Sequence, residues 1–368
     1  MSAPPHPGAE SISFDELQLA ARNHAIPLEA LRYDVTPVGL HYLLIHYDIP
    51  TVDSGSWSLT LRGRVDRPLE LSLEELRSRP PAEIVSTMEC AGNGRAKLSP
   101  RPISQPWLLE AVGTARWRGA RLRPLLEEAG LADEALDIVF TGLDRGIEKG
   151  VEQSYERALP VSVALGDDVL LAYEMNGAPL LPQHGAPVRL LVPGWYGMTN
   201  VKWLTSIQVL DRPFDGYQHS AAYRLKVDEN DEGEPVTRMQ PRSLMVPPGI
   251  PDFHTRARTV RTGPVLLEGR AWSGWAPVEK VEVSTDGGET WAAADLEGAE
   301  SRWAWRRWTY EWDPRAPGDY VLSCRAGDEA GNVQPDQPTW NVGGYANNAA
   351  QQVPVTVAEP GYDQSAPE

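Results

Sequence analysis

Cysteine is nearly missing from this chain: 2 of 368 residues, Cys90 and Cys324. Two thiols so far apart in sequence cannot build a disulfide framework or a zinc knuckle, and so few of them fit a reducing compartment. Positive charge is also scarce. Lys and Arg total 34 against 51 Asp and Glu, a net charge of −17. That balance argues against nucleic acid and against an anionic membrane as partners. No stretch approaches the roughly 18 apolar residues of a spanning helix. Met1 to Glu10 has neither the charged start and apolar run of a secretory signal nor a twin arginine. The expectation is a cytoplasmic protein, or a periplasmic one if a leader has been removed. What remains is ordinary globular composition, 41% hydrophobic and 23% charged. At about 150 residues per domain the length predicts two domains, each with its own core.

The chain changes texture between Asp211 and Pro251, where prolines, glycines and the acidic run Asp228 to Glu234 replace apolar periodicity. A boundary near residue 240 follows. The predicted layout is α+β: a mixed α/β domain over 1–240 whose first 20 residues form a flexible arm, a β-sandwich over 241–357, and a disordered tail over 358–368. In the first part, Phe14 to Asn23 and Leu122 to Ala129 read as helices. Ser72 with Glu75 has the spacing of a capping box. Trp57–Val65, Ile84–Met88, Ile138–Thr141, Val188–Val192 and Val201–Leu210 read as strands. In the second part, Val265–Ala271, Val278–Ser284, Thr290–Leu296, Trp305–Trp312 and Tyr320–Ala326 are short strands, and Asp286-Gly287 gives a hairpin signal. That pattern suggests an immunoglobulin-like sandwich. Its many tryptophans, from Trp272 to Trp340, could line a carbohydrate site, but their alternation along strands favours core and subunit interface.

The segment richest in chemistry is Met88-Glu89-Cys90-Ala91-Gly92-Asn93-Gly94-Arg95. A thiol stands where a strand gives way to a loop able to adopt positive φ and to aim amides at an anion, with a fixed cation beside it. Thiolates are soft metal ligands and nucleophiles, favoured by nearby positive charge. The plain alternative is a small buried hydrophobe, which describes Cys324 in its strand well.

Cys-Ala-Gly-Asn followed by Arg resembles the molybdenum-ligand loop of the sulfite oxidase family. Further segments resemble the family in the same order: Leu170 to Gly177, His184 to Arg189 with Val192-Pro193-Gly194, and Val201 to Leu204. Trp272-Ser273-Gly274, Ser284 to Gly288, Trp303 to Arg306 and Asn332 to Pro335 resemble its dimerisation domain. The resemblance implies a molybdenum–pterin cofactor (molybdopterin, no haem) with Cys90 as the metal ligand. It implies Tyr42, Leu44, His46, Asp144, His184, Arg189, Asn200, Val201 and Lys202 around the pterin. It also implies a substrate pocket of Arg95, Arg306 and Trp107, with Tyr155 near the metal. Arg189 suits bidentate phosphate binding and Lys202 acts as a point charge. His46 and His184 could equally be satisfied core histidines, and Asp144 a turn residue. Near Arg306 stand Arg302 and Arg307, the first on the same face if side chains alternate.

One position departs from the family. Where its members carry a sulfite-binding arginine, this chain has Leu44. Losing a guanidinium contact should cost about 1.5–3 kcal/mol, roughly one to two decades in affinity. The implied function is oxygen-atom transfer at sulfur, sulfite to sulfate, with electrons passed to an external acceptor such as a cytochrome or oxygen. Leu44 motivates an alternative on the same fold, a sulfoxide or methionine-sulfoxide reductase. A cofactor-free binding protein is a third reading. The resemblance also implies a homodimer through the second domain.

Overall fold

The computed structural model describes residues 12–359. The start of the expected arm and nearly all of the expected tail lie outside them. Local chemistry sets the ends of the helices. Helix α1 (Phe14–Arg22) starts at Ser13, whose hydroxyl accepts from the Glu16 amide while the Glu16 carboxylate accepts from the Ser13 amide. Two otherwise orphaned donors are thereby satisfied. Helix α2 (Leu73–Ser78) repeats that box with Ser72 and Glu75. Helix α3 (Leu122–Ala129) stops at Gly130, φ 71°, a conformation that suits glycine. The sequence reading placed residues up to 20 in a flexible arm; from Ser13 onward the structure corrects it. Glu16 is buried and ion-paired with Arg101, and that contact, first of all, holds its carboxyl below the usual range.

The chain forms two compact units. The first comprises residues up to Ala25, Pro37–Met239 and Trp340–Asn347. The second comprises Ile26–Thr36, Gln240–Thr339 and the chain from Asn348 on. The chain thus changes unit at 239/240 and also makes two shorter exchanges.

In the first unit, one sheet orders the strands Leu69–Ser72, Ser58–Gly63, Leu204–Leu210, Asp137–Glu148 and Val151–Pro160. Only the pairing of Ser58–Gly63 with Leu204–Leu210 is parallel. A second sheet runs Pro81–Glu89, Val112–Arg121, Leu170–Met175, with Arg189–Leu191 also on the last. Leu59, Leu61, Phe140, Leu204 and Ile207 from the first sheet join Ala120, Leu171 and Leu190 from the second, with Leu76 of α2 and Leu122 and Leu125 of α3, in one buried core. The result is two sheets whose strand ends leave irregular loops, where functional side chains gather.

The second unit packs Arg242–Met245, Val265–Trp272 and Arg306–Trp312 in one sheet. Against it lie Arg258–Arg261, Gln351–Ala358, Gly318–Asp328 and Val278–Ser284 in another. Leu267, Trp308 and Trp312 meet Val281, Leu322, Cys324 and Val355 between them. Thr290–Leu296 is not the single strand predicted. Asp286 captures the Thr290 amide and hydroxyl, after which Ala292–Ala293 pairs with Val278–Ser284 and Asp295–Leu296 crosses to pair with Arg306–Trp312. Cys324 is wholly buried, and desolvation raises its pKa to about 12, so it is inert packing. Among the described residues no helix is long and apolar enough to cross a membrane.

Phe140 is fully buried in the first core. Phe140→Ala should destabilise the protein by about 3–5 kcal/mol, read as a fall in the urea unfolding midpoint.

Candidate molybdopterin site

Strand Pro81–Glu89 delivers Cys90 to the start of a tight turn. The Cys90 amide donates to Ala111 O and its carbonyl accepts from the Asn93 amide at 3.0 Å. Asn93 locks the turn: its amide group donates to Glu89 Oε1 and Leu109 O, and its Oδ1 accepts from the Ala111 amide. The loop's glycines serve close approach. A Cβ on Gly92 would stand 2.6 Å from the Arg95 guanidinium nitrogens. Gly94 has φ +88°, and its Cβ would meet Asn347 at 2.9 Å. A larger residue at either position would displace Arg95 or Asn347.

Arg95 is almost fully buried. Its Nε donates to Gly343 O at 2.9 Å, one terminal nitrogen donates to Gln105 O at 3.0 Å, and the guanidinium lies over the Tyr345 ring. Among the described residues no carboxylate pairs with it, so its charge is oriented but not neutralised. Burial pushes the Cys90 thiol up, against the opposing pull of Arg95, the Gly92 amide and the Trp107 indole.

Two clefts meet at Leu44, His46, Cys90 and Tyr223. The inner one is narrow, about 70 Å³. It brings together Tyr42, Leu44, His46, Cys90, Asp144, Tyr155, His184, Arg189, Asn200 and Lys202 of the residues expected from sequence. Arg189 donates to His184 O and Asn200 O, both at 3.1 Å, and stands over the Trp117 ring. Burial lowers its pKa to about 10. Lys202 Nζ donates to Leu44 O at 2.8 Å and Gln183 O at 3.2 Å. Burial and then the nearby Arg189 lower its pKa to about 7. Burial brings His184 to about 3, with His41, Arg189 and Lys202 acting in the same direction. Asp144, inside a register break between Thr141 and Arg145, is turned into the cleft. Burial raises it to about 6 against the pull of Lys202 and His46. Tyr155 donates to Met198 O at 2.7 Å, and burial holds its phenol protonated well beyond neutral pH.

Asn200 lines the inner cleft but spends its side chain holding the Val192 amide and Tyr196 O. Other expected residues fall elsewhere. Val201 lies off the cleft wall; its amide donates to Thr199 O and its carbonyl accepts from the Leu190 amide. Trp107 lies behind Cys90 rather than on a cleft. Arg306 belongs to the second unit, where its guanidinium donates to Glu297 O and Val278 O. Arg302 precedes the strand that Arg306 opens, so strand alternation does not relate the two.

Several contributors escaped the sequence reading. His41, buried beside Tyr42 and edge-on to His184, leaves Nε2 without a partner; burial lowers its pKa to about 4. In the outer cleft, Glu148 Oε2 accepts from Tyr47 Oη at 3.0 Å and Gln218 Nε2 at 2.6 Å, and lies 3.4 Å from His46 Nε2. Only the adjacency of Tyr47 to His46 hinted at this cluster.

The donor set can be tested against a phosphorylated pterin. Arg189 Nε and His41 Nε2 are buried and unpartnered, as is the acceptor Asp144 Oδ1, all three on residues lining one cleft. Arg189 and Lys202 supply positive charge there, and Asp144 is the one carboxylate. A ligand with an anionic end and a hydrogen-bonding ring edge matches that set, and one soft thiol suffices to complete a metal whose other sulfurs come from the pterin.

These features define a molybdopterin oxidoreductase. Residues 46–218 match the oxidoreductase molybdopterin binding domain, and residues 238–358 match the Mo-co oxidoreductase dimerisation domain. The chain belongs to the sulfite oxidase family of molybdenum-cofactor oxidoreductases. It is 37% identical over 333 residues to sulfite oxidase of Gallus gallus, covering 86% of this chain and 72% of that one. It is 34% identical over 348 residues to mitochondrial sulfite oxidase of Homo sapiens, covering 88% and 62%. The chain thus spans less than two thirds of the human protein's length. Nitrate reductase [NAD(P)H] of Hordeum vulgare is 34% identical over 353 residues, 89% of this chain and 40% of that one. Among solved structures, the sulfane dehydrogenase SoxCD of Paracoccus pantotrophus superposes with TM-score 0.78 at 25% identity, covering 96% and 92%.

The depressed Lys202 pKa fixes a sign. Between about pH 7 and the ordinary lysine range, the unfolded chain binds a proton that the cofactor-free fold has released, so Lys202 makes stability rise with pH there; at lower pH its buried charge costs stability. Lys202→Met should therefore raise the melting temperature of cofactor-free protein at pH 6. In cells supplied with cofactor, the same variant should retain less molybdenum, measured by metal analysis.

Proposed function

We propose that the chain catalyses oxygen-atom transfer at a small sulfur compound, with sulfite oxidised to sulfate and electrons leaving to an external acceptor. The observation that carries this reading is the Arg95 guanidinium, buried next to Cys90 and paired only with carbonyls and an aromatic face. A cation held that way attracts an anion more strongly than one already neutralised. The sulfite oxidases among its relatives support the substrate class.

In this reading Cys90 holds the metal, while Arg189, Lys202, His184 and Asp144 hold the pterin. The bound group supplies two-electron redox chemistry and an exchangeable oxygen. The protein does the rest. Arg95 orients the substrate anion towards Cys90. Tyr155, fixed by Met198 O and kept neutral, presents a phenol rather than a charge. The buried cleft walls limit water. The matched dimerisation domain supports a homodimer.

Leu44 keeps the reductase reading in play, because its side chain puts an apolar group where both clefts meet and lowers affinity for a dianion. Steady-state assays with sulfite and with a small sulfoxide distinguish the two. Sulfite turnover with a micromolar KM supports the first; sulfoxide reduction without sulfite oxidation replaces it. Purified protein from cofactor-supplied cells that contains no molybdenum would falsify both.

Leu44→Arg should raise kcat/KM for sulfite about 10- to 100-fold, the worth of one charged hydrogen bond of roughly 1.5–3 kcal/mol. Arg95→Gln should raise KM by a similar factor. Both are read in the same sulfite assay.

A further inference from the structure

We propose that His46 and Glu148 form a proton-transfer pair that connects the inner cleft with solvent. The proposal rests on the oxygen-atom-transfer reading above, but not on its direction or substrate. Moving an oxygen atom from water onto sulfur releases two protons and two electrons; the reverse reaction consumes them. The electrons go to or come from an external one-electron carrier. The protons must cross a wall of the cleft.

The geometry at that wall suits a proton carrier. The His46 ring lines both clefts. Its Nε2 faces a proton acceptor, Glu148 Oε2, at 3.4 Å, and a proton donor, Gln218 Nε2, at 3.3 Å. When Nε2 carries a proton it can donate to Glu148; when it does not, it can accept from Gln218. Both protonation states therefore have a partner, and neither is stranded. The Gln218 amide has two hydrogens for three acceptors, His46 Nε2, Tyr47 Oη at 2.7 Å and Glu148 Oε2 at 2.6 Å. Its hydrogen bonds must therefore redistribute whenever His46 changes state. The Glu148 side chain is 33% exposed and that of His46 24%, so the pair reaches from buried to wet surroundings.

The neighbouring phenols do not offer a parallel route at neutral pH. Burial and the nearby Glu148 keep the Tyr47 phenol protonated, and burial does the same for Tyr155, whose ring is 5.2 Å from that of His46. The Asp144 carboxyl, which burial raises to about 6, feels the nearby His46. Tyr217 and Tyr345 feel the Glu148 charge, and Lys149 lies over the Tyr217 ring. Glu148 itself is held below the usual carboxylate range, first by the His46 contact, so it stands ready as a base.

The test uses holoenzyme carrying Glu148→Gln, which keeps side-chain size and an acceptor oxygen but cannot take a proton. The expected result is unchanged molybdenum content, KM within about twofold of the parent and kcat down about tenfold, a modest share of general acid–base effects. The rate should recover as a small weak acid such as formate or imidazole is added, and should fall further in deuterated water than the parent's does. Independently of turnover, histidine-selective NMR of the same holoenzymes at one pH should show the His46 ring resonances displaced in Glu148→Gln, because the ring loses a carboxylate oxygen at 3.4 Å from Nε2. An unchanged kcat with an unchanged deuterium effect overturns the relay. So does a rate loss that added acids do not restore, or a His46 resonance that does not move. If the parent protein turns over neither sulfite nor a sulfoxide, it is the oxygen-transfer reading that fails, and the NMR comparison still decides whether the pair is coupled.

Discussion

Positive charge held away from water by carbonyl groups alone is the constraint around which the first unit is arranged. Arg189 and Lys202 have main-chain oxygens and aromatic faces as partners and no ion pair among the described residues. Carbonyl dipoles orient a cation but do not cancel it, and desolvation drives both pKa values down. Such a cavity is unfavourable alone and becomes favourable when an anion enters, because the desolvation cost is already met by the fold. Cofactor affinity and the cost of burying these cations in the cofactor-free protein then have a single cause.

The rest of the unit serves to keep those cations in place. Two asparagines, Asn93 and Asn200, hold the turns beside Cys90 and Arg189 by occupying amides and carbonyls that would otherwise be loose. Gly92 leaves the room that the Arg95 guanidinium fills. The exchange segment Trp340–Asn347 contributes Gly343 O and the Tyr345 ring to Arg95, and Asn347 to Gly94 O. A segment from late in the chain thus completes a loop that begins at residue 90, and a site made of loops becomes as fixed as the sheets that present them.

Legibility in the sequence followed the range of the interaction. Capping boxes at Ser72 and a helix stop at Gly130 depend on neighbours three or four residues away, and both were readable. So was the Cys90 turn, since the Gly/Asn/Gly/Arg run has little packing use otherwise. Thr290–Leu296 misled, because local strand propensity says nothing about a switch between sheets. Helix α1 was readable but its fixed position was not, since its anchoring through Arg101 spans 85 residues. His41, Glu148 and Gln218 carried no local signal. Each looks like an ordinary surface or core residue until the pairing of distant strands brings it to a cleft.

From the sequence alone came the class of fold and, through its resemblance to the sulfite oxidase family, the expectation of a metal-ligating thiol at Cys90, of cations at Arg95, Arg189 and Lys202, and of a lost cation at Leu44, because the motifs that carry the resemblance are short and local. Tertiary structure alone decided which of those cations stay unneutralised, that Arg306 is spent on carbonyls of the second unit, and that Val201 supports the wall rather than lining it. It also decided that His46 stands between an acceptor and a donor. Those outcomes depend on burial and on partners far away in sequence. Charge, pKa and hydrogen-bond occupancy are properties of surroundings, which exist only once the chain has folded.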